Sequence, residues 1–158
     1  MKILVLTDSL SLARQHGDEI ISYEGTYPYL LKNQFPNIDF VFTCIGGATI
    51  KKLYSQLCYY KYFKPDLVIL QCGIVDCAPR VFSPFERKVI NKLGLVSFLK
   101  KTIYFFRKYR NYKYTSLKNF NKYISKIKTL LEPNTNIYSI GILPPFNLYE
   151  VKVPGIKK

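Results

Sequence analysis

Metal-binding and disulfide patterns are missing from this sequence. Its 158 residues include one histidine, His16, and four cysteines spaced 14, 14 and 5 residues apart. Because no Cys-x-x-Cys pair occurs, the ligand spacing of a zinc site is absent, and we expect neither a metal nor another cofactor. Cys44, Cys58 and Cys72 fall in predicted strands or on an apolar helix face, where reduced cysteine acts as a small hydrophobe. Cys77 lies in a predicted loop, and for this thiol a reactive role stays open.

Long apolar runs are missing as well. No segment approaches the roughly 20 consecutive apolar residues that a membrane-spanning helix requires. The first residues carry a single lysine and no small-residue cleavage site, so they do not match a secretory signal. We therefore predict a cytoplasmic protein without a transmembrane segment.

Internal repeats and flexible linkers are also absent, and the length is that of one domain. Apolar residues make up 48% of the chain and aromatic residues 16%, which excludes a disordered polymer. We predict a single domain over residues 1–158 that buries roughly two-thirds of the surface of the unfolded chain.

What the sequence does contain is a regular alternation of strand-like and helix-length segments. This alternation predicts an α/β protein with a central parallel sheet covered by helices. The predicted strands are Lys2–Thr7, Asp39–Thr43, Leu67–Cys72 and Asn136–Ile140.

Two helices are well marked by apolar residues at a helical spacing. One covers Thr49–Phe63 with Thr49 as its N-cap, and the other runs from a cap at Thr115 to about Leu131. Each is followed by a proline that ends it.

Positive charge is concentrated in one stretch, residues 87–128, which holds 13 of the 24 basic residues and no acidic residue. It belongs to a basic, aromatic-rich segment at about 84–131 that we predict to be helical, although Gly94 interrupts the pattern from Leu93 to Phe106. Such a composition suits an anionic partner, for example an acidic lipid surface or glycan. Solvated helix faces explain it equally well. No nucleic-acid-binding motif is present, so we expect no specific nucleic-acid partner.

Polar residues follow the first predicted strand at once, in the sequence Thr7-Asp8-Ser9-Leu10. They mark the loop that leaves the carboxyl edge of the sheet, where open α/β sheets place their sites. Ser9 is therefore a candidate nucleophile. The alternative is that Asp8 or Ser9 merely caps the next helix.

Two more loops are predicted at the same edge, Ile45–Thr49 and Gly73–Asp76. Gly47 has no side chain, so its N–H can approach a substrate closely at the start of a helix. The alternative is that Gly46 and Gly47 form an ordinary tight turn. A nucleotide-binding domain is disfavoured because no glycine-rich phosphate loop follows the first strand.

In these three blocks the sequence resembles the SGNH/GDSL hydrolase family, over Met1 to roughly Gly155. The resemblance implies a flavodoxin-like three-layer fold, with Ser9 as nucleophile and the backbone N–H groups of Ser9 and Gly47 as oxyanion donors. It also implies that Asp8 fixes the first loop, and that Gly73 and Asp76 support the third.

Two departures from the family's pattern concern the catalytic groups. Val75 stands where the family has an asparagine that donates to the oxyanion. The base-bearing Asp-x-x-His that follows the family's last strand is absent, so we expect a truncated or degenerate member with weak catalysis. His16, with Asp18 to orient it, is an alternative base, although an exposed loop histidine is the commoner case.

The resemblance implies a hydrolase or acyltransferase that acts on O-acyl esters, with carbohydrate esters as one class of substrate. A second interpretation stays open, in which an SGNH-like module has lost its base. It would then bind an anionic glycan or membrane surface through residues 87–128.

Overall fold

A four-stranded parallel sheet organises the part of the chain that the structure describes. The computed structural model describes residues 1–16, 18–94, 110 and 112–142. The sheet has the order β4-β1-β5-β6, and its strands are β1 (Lys2–Thr7), β4 (Asp39–Cys44), β5 (Leu67–Gln71) and β6 (Asn136–Ile140).

Helices and one small hairpin connect these strands. The hairpin pairs β2 (Arg14–His16) with β3 (Glu19–Ile21). The helices, numbered within the described residues, are α1 (Tyr27–Gln34), α2 (Ile50–Tyr60), α3 (Ile74–Cys77), α4 (Pro84–Lys92) and α5 (Leu117–Leu130).

The strand order is the one found in doubly wound, flavodoxin-like sheets. β1 lies in the middle, with the second parallel strand, β4, on one side and the third and fourth, β5 and β6, on the other. The winding therefore reverses at β1, and the crevice beside the carboxyl ends of β1 and β5 is the place where such folds bind ligands.

One face of the sheet carries the main hydrophobic core, under α2 and α5. Leu4, Leu6 and Leu70 point into it from the strands, Leu57 from α2 and Ile127 from α5, and each is at most 1% exposed. Full burial of one such side chain contributes about 1.5–3 kcal/mol. This packing fixes the sheet and both helices as one body.

Helix α1 reaches the opposite face. Side chains alternate between the two faces of a strand, so Gln71 lies on the side away from Leu70. The Tyr27 hydroxyl, at the start of α1, hydrogen-bonds to Gln71. Helices thus flank the sheet on both faces, and the predicted fold class is confirmed.

The bounds of the elements follow the sequence closely, with small differences. β1 and β6 have the predicted bounds, β4 extends to Cys44 and β5 ends at Gln71. The helix predicted over Thr49–Phe63 ends at Tyr60 and continues as a single 3-10 turn. The chain then adopts a left-handed backbone at Lys64, with φ 49°, and leaves the helix.

The cap predicted at Thr115 is wrong. α5 begins at Leu117, so Ser116 occupies the residue before the helix. The Thr115 hydroxyl instead donates a hydrogen bond to the carboxylate of Asp76.

The chain divides into two compact units, which we call the first unit and the second unit. The first unit is Met1–Val75 with Leu117–Ile142, and the second is Asp76–Ser116 with Leu143–Lys158. The single domain expected from the length stays a prediction. The helix pattern predicted beyond Gly94 lies outside the described residues, as does most of the aromatic and basic run that follows it.

Candidate active site

Three strands of the first unit end at the same level. Thr7 of β1 is in register with Cys44 of β4 and with Gln71 of β5. The ladder continues one step further, because Asp8 N–H donates to Gln71 O at 3.2 Å and Ile45 N–H donates to Thr7 O at 3.0 Å. The loops that follow therefore leave the sheet side by side at its carboxyl edge.

The loop after β1 is a compact 3-10 turn over Ser9–Ser11. Asp8 is 1% exposed, and its carboxylate accepts the N–H of Leu10 at 3.0 Å. The Ser11 hydroxyl donates to Asp8 O at 2.9 Å, and Leu12 N–H donates to Ser9 O at 3.2 Å. The capping alternative therefore holds for Asp8. Its role in fixing the first loop of the site stays a prediction.

Ser9 is exposed at the surface of this turn. Its hydroxyl makes no hydrogen bond to another described residue, and Asp8 already fills the capping role. The side chain is therefore open to an approaching substrate, which is what a nucleophile requires.

The loop after β4 is a tight turn built on Gly46 and Gly47. Ala48 N–H donates to Ile45 O at 3.2 Å, and Gly47 has φ +66° at the third position of the turn. This left-handed backbone favours glycine. Both this turn and the glycine's closeness to a helix start were predicted, since α2 follows with Thr49 as its N-cap.

Gly47 also faces open space. A Cβ atom placed on it would meet no heavy atom within 4 Å, so its backbone is accessible. At the neighbouring Gly46, a Cβ atom would lie 3.7 Å from Leu12 Cδ1, which shows that this turn adjoins the loop after β1. The amides of Ser9 and Gly47 thus belong to adjacent loops, and their role as oxyanion donors stays a prediction.

The loop after β5 is tightly packed at Gly73, whereas the loops after β1 and β4 expose Ser9 and Gly47. Gly73 is buried with φ +117°, and a Cβ atom on it would lie 2.6 Å from Ile142 Cδ1. Glycine is required here by both conformation and space. Val75, 8% exposed, is buried in α3 and offers no side-chain donor at the position where the family has its asparagine.

Asp76 begins the second unit. It is 2% exposed, and within that unit its carboxylate accepts the Thr115 hydroxyl, while its carbonyl accepts Thr115 N–H at 3.3 Å. It therefore holds Thr115 within its own unit. Its predicted role in supporting the third loop of the candidate site stays a prediction.

His16, the alternative base, does not lie in the loop that the sequence suggested. It ends β2 and pairs with Glu19 across the hairpin, with Asp18 in the connecting turn. The reason is that Arg14–His16 and Glu19–Ile21 pair as a three-residue antiparallel ladder, with Arg14 opposite Ile21 and Gln15 opposite Ile20. Its role as a base stays a prediction.

A partly buried polar cluster at the end of β1 was missed by the sequence analysis. The hydroxyls of Thr7 and Tyr27 both donate to Gln71 Oε1, each at 2.8 Å. Gln71 itself gave a usable signal, since it is the one polar residue in the apolar strand Leu67–Gln71. Tyr27 gave none, because nothing in the sequence links it to that strand.

Metal ligands and thiols are two further kinds of group that bear on the chemistry of the described residues. No group of three or more His, Cys, Asp or Glu side chains that could hold a metal ion occurs within the described ranges. Cys77 is partly exposed, and its partial removal from water is the main cause that raises the pKa of the thiol, which opposes a reactive thiolate.

The comparisons with known proteins bear on the fold. No family model and no curated protein matches the sequence. Among solved structures, an alpha/beta hydrolase enzyme from the metagenome of Lake Arreo, Spain, aligns with a TM-score of 0.51 at 17% identity, covering 87% of this chain and 58% of that one.

Two further solved structures are similar at lower scores. An acetylxylan esterase from Geobacillus stearothermophilus has a TM-score of 0.48 at 19% identity, covering 87% of this chain and 57% of that one. A putative lipolytic protein of the G-D-S-L family from Desulfitobacterium hafniense has a TM-score of 0.40 at 18% identity, covering 87% and 76%.

The chain therefore has an α/β fold of the kind seen in the Lake Arreo enzyme, and at 17% identity the likeness extends to the fold alone. The chain spans about three-fifths of the length of the Lake Arreo enzyme. None of the helices among the described residues is long and apolar enough to cross a bilayer.

Proposed function

We propose that this protein is a serine hydrolase of O-acyl esters, with Ser9 as the nucleophile and small acylated molecules or carbohydrates as substrates. The observation that carries the proposal is the exposed Ser9 hydroxyl, presented by a capped turn at the edge where the winding of the sheet reverses. The similarity in fold to a solved alpha/beta hydrolase agrees with this chemistry.

In the proposed reaction, Ser9 Oγ forms a bond to the acyl carbon of the ester while its proton passes to a base. The negative charge on the carbonyl oxygen is received by the amides of Ser9 and Gly47. The alcohol leaves with a proton, and water then attacks the acyl-serine in the same manner to release the acid and restore Ser9. Gly73 shapes the third loop, and Asp8 fixes the first.

The proposed reaction requires a general base, and the sequence offers few candidates for it. The 158 residues contain no Asp-x-x-His, and His16 is the only histidine. General-base assistance contributes about 10²–10⁴-fold to a rate, so we expect this chain to turn over its substrate slowly.

A serine-directed fluorophosphonate probe tests the nucleophile. We expect the probe to modify Ser9 in the parent protein and to leave Ser9→Ala unlabelled. The matched control is Ser55→Ala, which removes another exposed serine, in α2, and should be labelled like the parent. Equal labelling of the parent and Ser9→Ala would contradict the proposal.

The same assay tests the alternative base. If His16 removes the Ser9 proton, His16→Ala should label at least about 100-fold more slowly. An unchanged rate assigns the base to another group.

A second candidate function is binding to an anionic membrane surface or glycan, and helix α4 favours it. The apolar side chains Phe85, Val89 and Leu93 follow one another at intervals of four residues and are 76%, 41% and 62% exposed. Arg87, Lys88 and Lys92 lie on the same short helix. An exposed apolar stripe beside basic residues is typical of helices that bind at a membrane interface.

Vesicle sedimentation tests this candidate. We expect binding to vesicles that contain phosphatidylserine, little binding to phosphatidylcholine alone, and loss of binding in high salt. The variant Phe85→Ser should bind less, whereas Leu117→Ser, which changes an exposed leucine on α5, should bind like the parent. Binding without ester cleavage would favour this function, and a matching assay with an acidic glycan separates the two partners.

A further inference from the structure

The polar cluster of Thr7, Tyr27 and Gln71 lies at the end of β1, two residues before the candidate nucleophile in the chain. Thr7 is fully buried. A buried hydroxyl requires a hydrogen-bond partner. Gln71 Oε1 supplies that partner from the neighbouring strand, and the same oxygen also accepts the hydroxyl of Tyr27.

The surroundings of the Tyr27 hydroxyl connect it to the turn that carries Ser9. Burial is the main cause that raises the pKa of Tyr27, and the charge of Asp8 adds to the rise. The hydroxyl therefore stays protonated and donates to Gln71 Oε1.

These contacts bring three elements together at one oxygen. Thr7 is the last residue of β1, Gln71 the last of β5, and Tyr27 the first of α1. The turn Ser9–Ser11 begins two residues after Thr7, and besides its internal bonds its Leu10 carbonyl accepts a hydrogen bond from the Arg14 side chain. The bonds of Thr7 and Tyr27 to Gln71 thus tie the end of β1, from which this turn departs, to β5 and α1.

We infer that Tyr27 is a positioning residue for Ser9, acting through Gln71 and Thr7. This inference rests on the proposed function, since positioning matters for reaction only if Ser9 reacts. Removing the Tyr27 hydroxyl leaves the ring in place but frees one side of Gln71, and the turn then samples orientations that are wrong for attack. Reaction at a serine is sensitive to such errors, because a misplacement of 1 Å can cost about 100-fold.

The test compares two tyrosines of the same helix. Tyr27→Phe should lower the maximal rate of Ser9 modification by a fluorophosphonate about tenfold, less than the cost of a full 1 Å displacement. The probe concentration at half-saturation should stay unchanged, because the hydroxyl does not contact the probe. Tyr29→Phe removes another phenol hydroxyl from α1, one whose ring contacts Tyr23 rather than Gln71, and should react like the parent.

A second pair of variants tests the route through Gln71. Gln71→Leu should slow the modification of Ser9, and Tyr27→Phe added to it should slow the reaction no further, because both changes break the same hydrogen bond. Additive losses would contradict this route. Equal maximal rates for Tyr27→Phe and Tyr29→Phe, both measured on folded protein, would overturn the inference while the proposed function survives.

Amide hydrogen exchange distinguishes failure of the positioning role of Tyr27 from failure of the proposed function. If the parent protein is not modified at Ser9, the proposed function fails, yet the attachment is still measurable. Tyr27→Phe should then exchange the Leu10 amide severalfold faster than Tyr29→Phe does, since that amide reports on the turn. Equal exchange in the two variants would refute the attachment itself.

Discussion

The two units of the chain are stabilised by different kinds of interaction. In the first unit, branched side chains from β1, α2, β5 and α5 form a dry core beneath the sheet. In the described part of the second unit, Ser83 and Glu86 form a capping box at the start of α4, and Arg110 pairs with Glu86. Apolar burial does not depend on pH or salt as an ion pair does, so the two units should respond differently to these conditions.

The first prediction tests how far the first unit depends on its core. Leu57→Ala removes a fully buried side chain of α2 and should lower the free energy of unfolding by about 2–5 kcal/mol, because it leaves a cavity. Urea denaturation measures this loss. Leu117→Ala is the control, since Leu117 is 77% exposed, and it should change the stability by no more than about 0.5 kcal/mol. Equal effects would show that this core does not dominate.

The second prediction concerns the tight contact at the candidate site. Gly73→Ala should lower the free energy of unfolding by about 1–3 kcal/mol, because it forces an unfavourable φ and pushes against Ile142. In an Ile142→Ala background the loss should shrink, since the steric part is then relieved while the backbone strain remains. Thermal or urea unfolding of the four proteins gives the comparison, and an undiminished loss would assign the whole cost to φ.

The third prediction uses pH to single out the second unit. Hydrogen bonding from Arg110, and then from the Ser83 amide, lowers the pKa of Glu86 to about 2. A lowered folded pKa means that the stabilisation is complete above the unfolded value of about 4.3 and is lost as the pH falls towards the folded value. The protection factors of the α4 amides, which are corrected for the intrinsic exchange rate, should therefore fall between about pH 4.3 and 2 in the parent protein.

The control for this prediction is Glu86→Gln, in which the α4 protection factors should be lower above pH 5 and should vary little across the same window. Glu132→Gln removes the exposed pair with Lys64 in the first unit, and it should change stability by no more than about 1 kcal/mol. A pH response that persists in Glu86→Gln would assign it to another group.

The fourth and smallest prediction compares two threonines at the sheet edge. Thr43 Oγ1 is buried without a hydrogen-bond partner in the part of the chain that the structure describes. Thr43→Val should therefore be neutral or stabilising by up to about 1 kcal/mol. Thr7→Val, which breaks the bond to Gln71, should instead destabilise by about 1 kcal/mol. Denaturation curves decide, and losses of equal size would show that Thr43 has a partner after all.

Much of the fold was predictable because local patterns carry it. The bounds of β1 and β6, the cap at Thr49 and the turn at Gly46–Gly47 all follow from residues close together in the sequence. Capping and turn formation depend on side chains within a few residues, so a sequence is sufficient to locate them.

The hairpin of β2 and β3 was not predicted, and His16 was placed in a loop for that reason. Strands of three residues are too short to show a clear periodicity. The cap at Thr115 failed for a different reason, since Asp76 competes for its hydroxyl from 39 residues away. Contacts of that range leave no trace in a local pattern.

The sequence by itself determined the parallel α/β fold and the presence of a serine, a glycine turn and a third loop at the carboxyl ends of the strands, because strand and turn preferences are local. Only the tertiary structure decided that Asp8 caps the turn, that Ser9 is exposed, that Ile142 packs against Gly73, and that Tyr27 and Gln71 meet at the end of β5. Two residues 44 positions apart become neighbours only when the sheet and α1 pack together, and the packing of the whole unit settles that geometry.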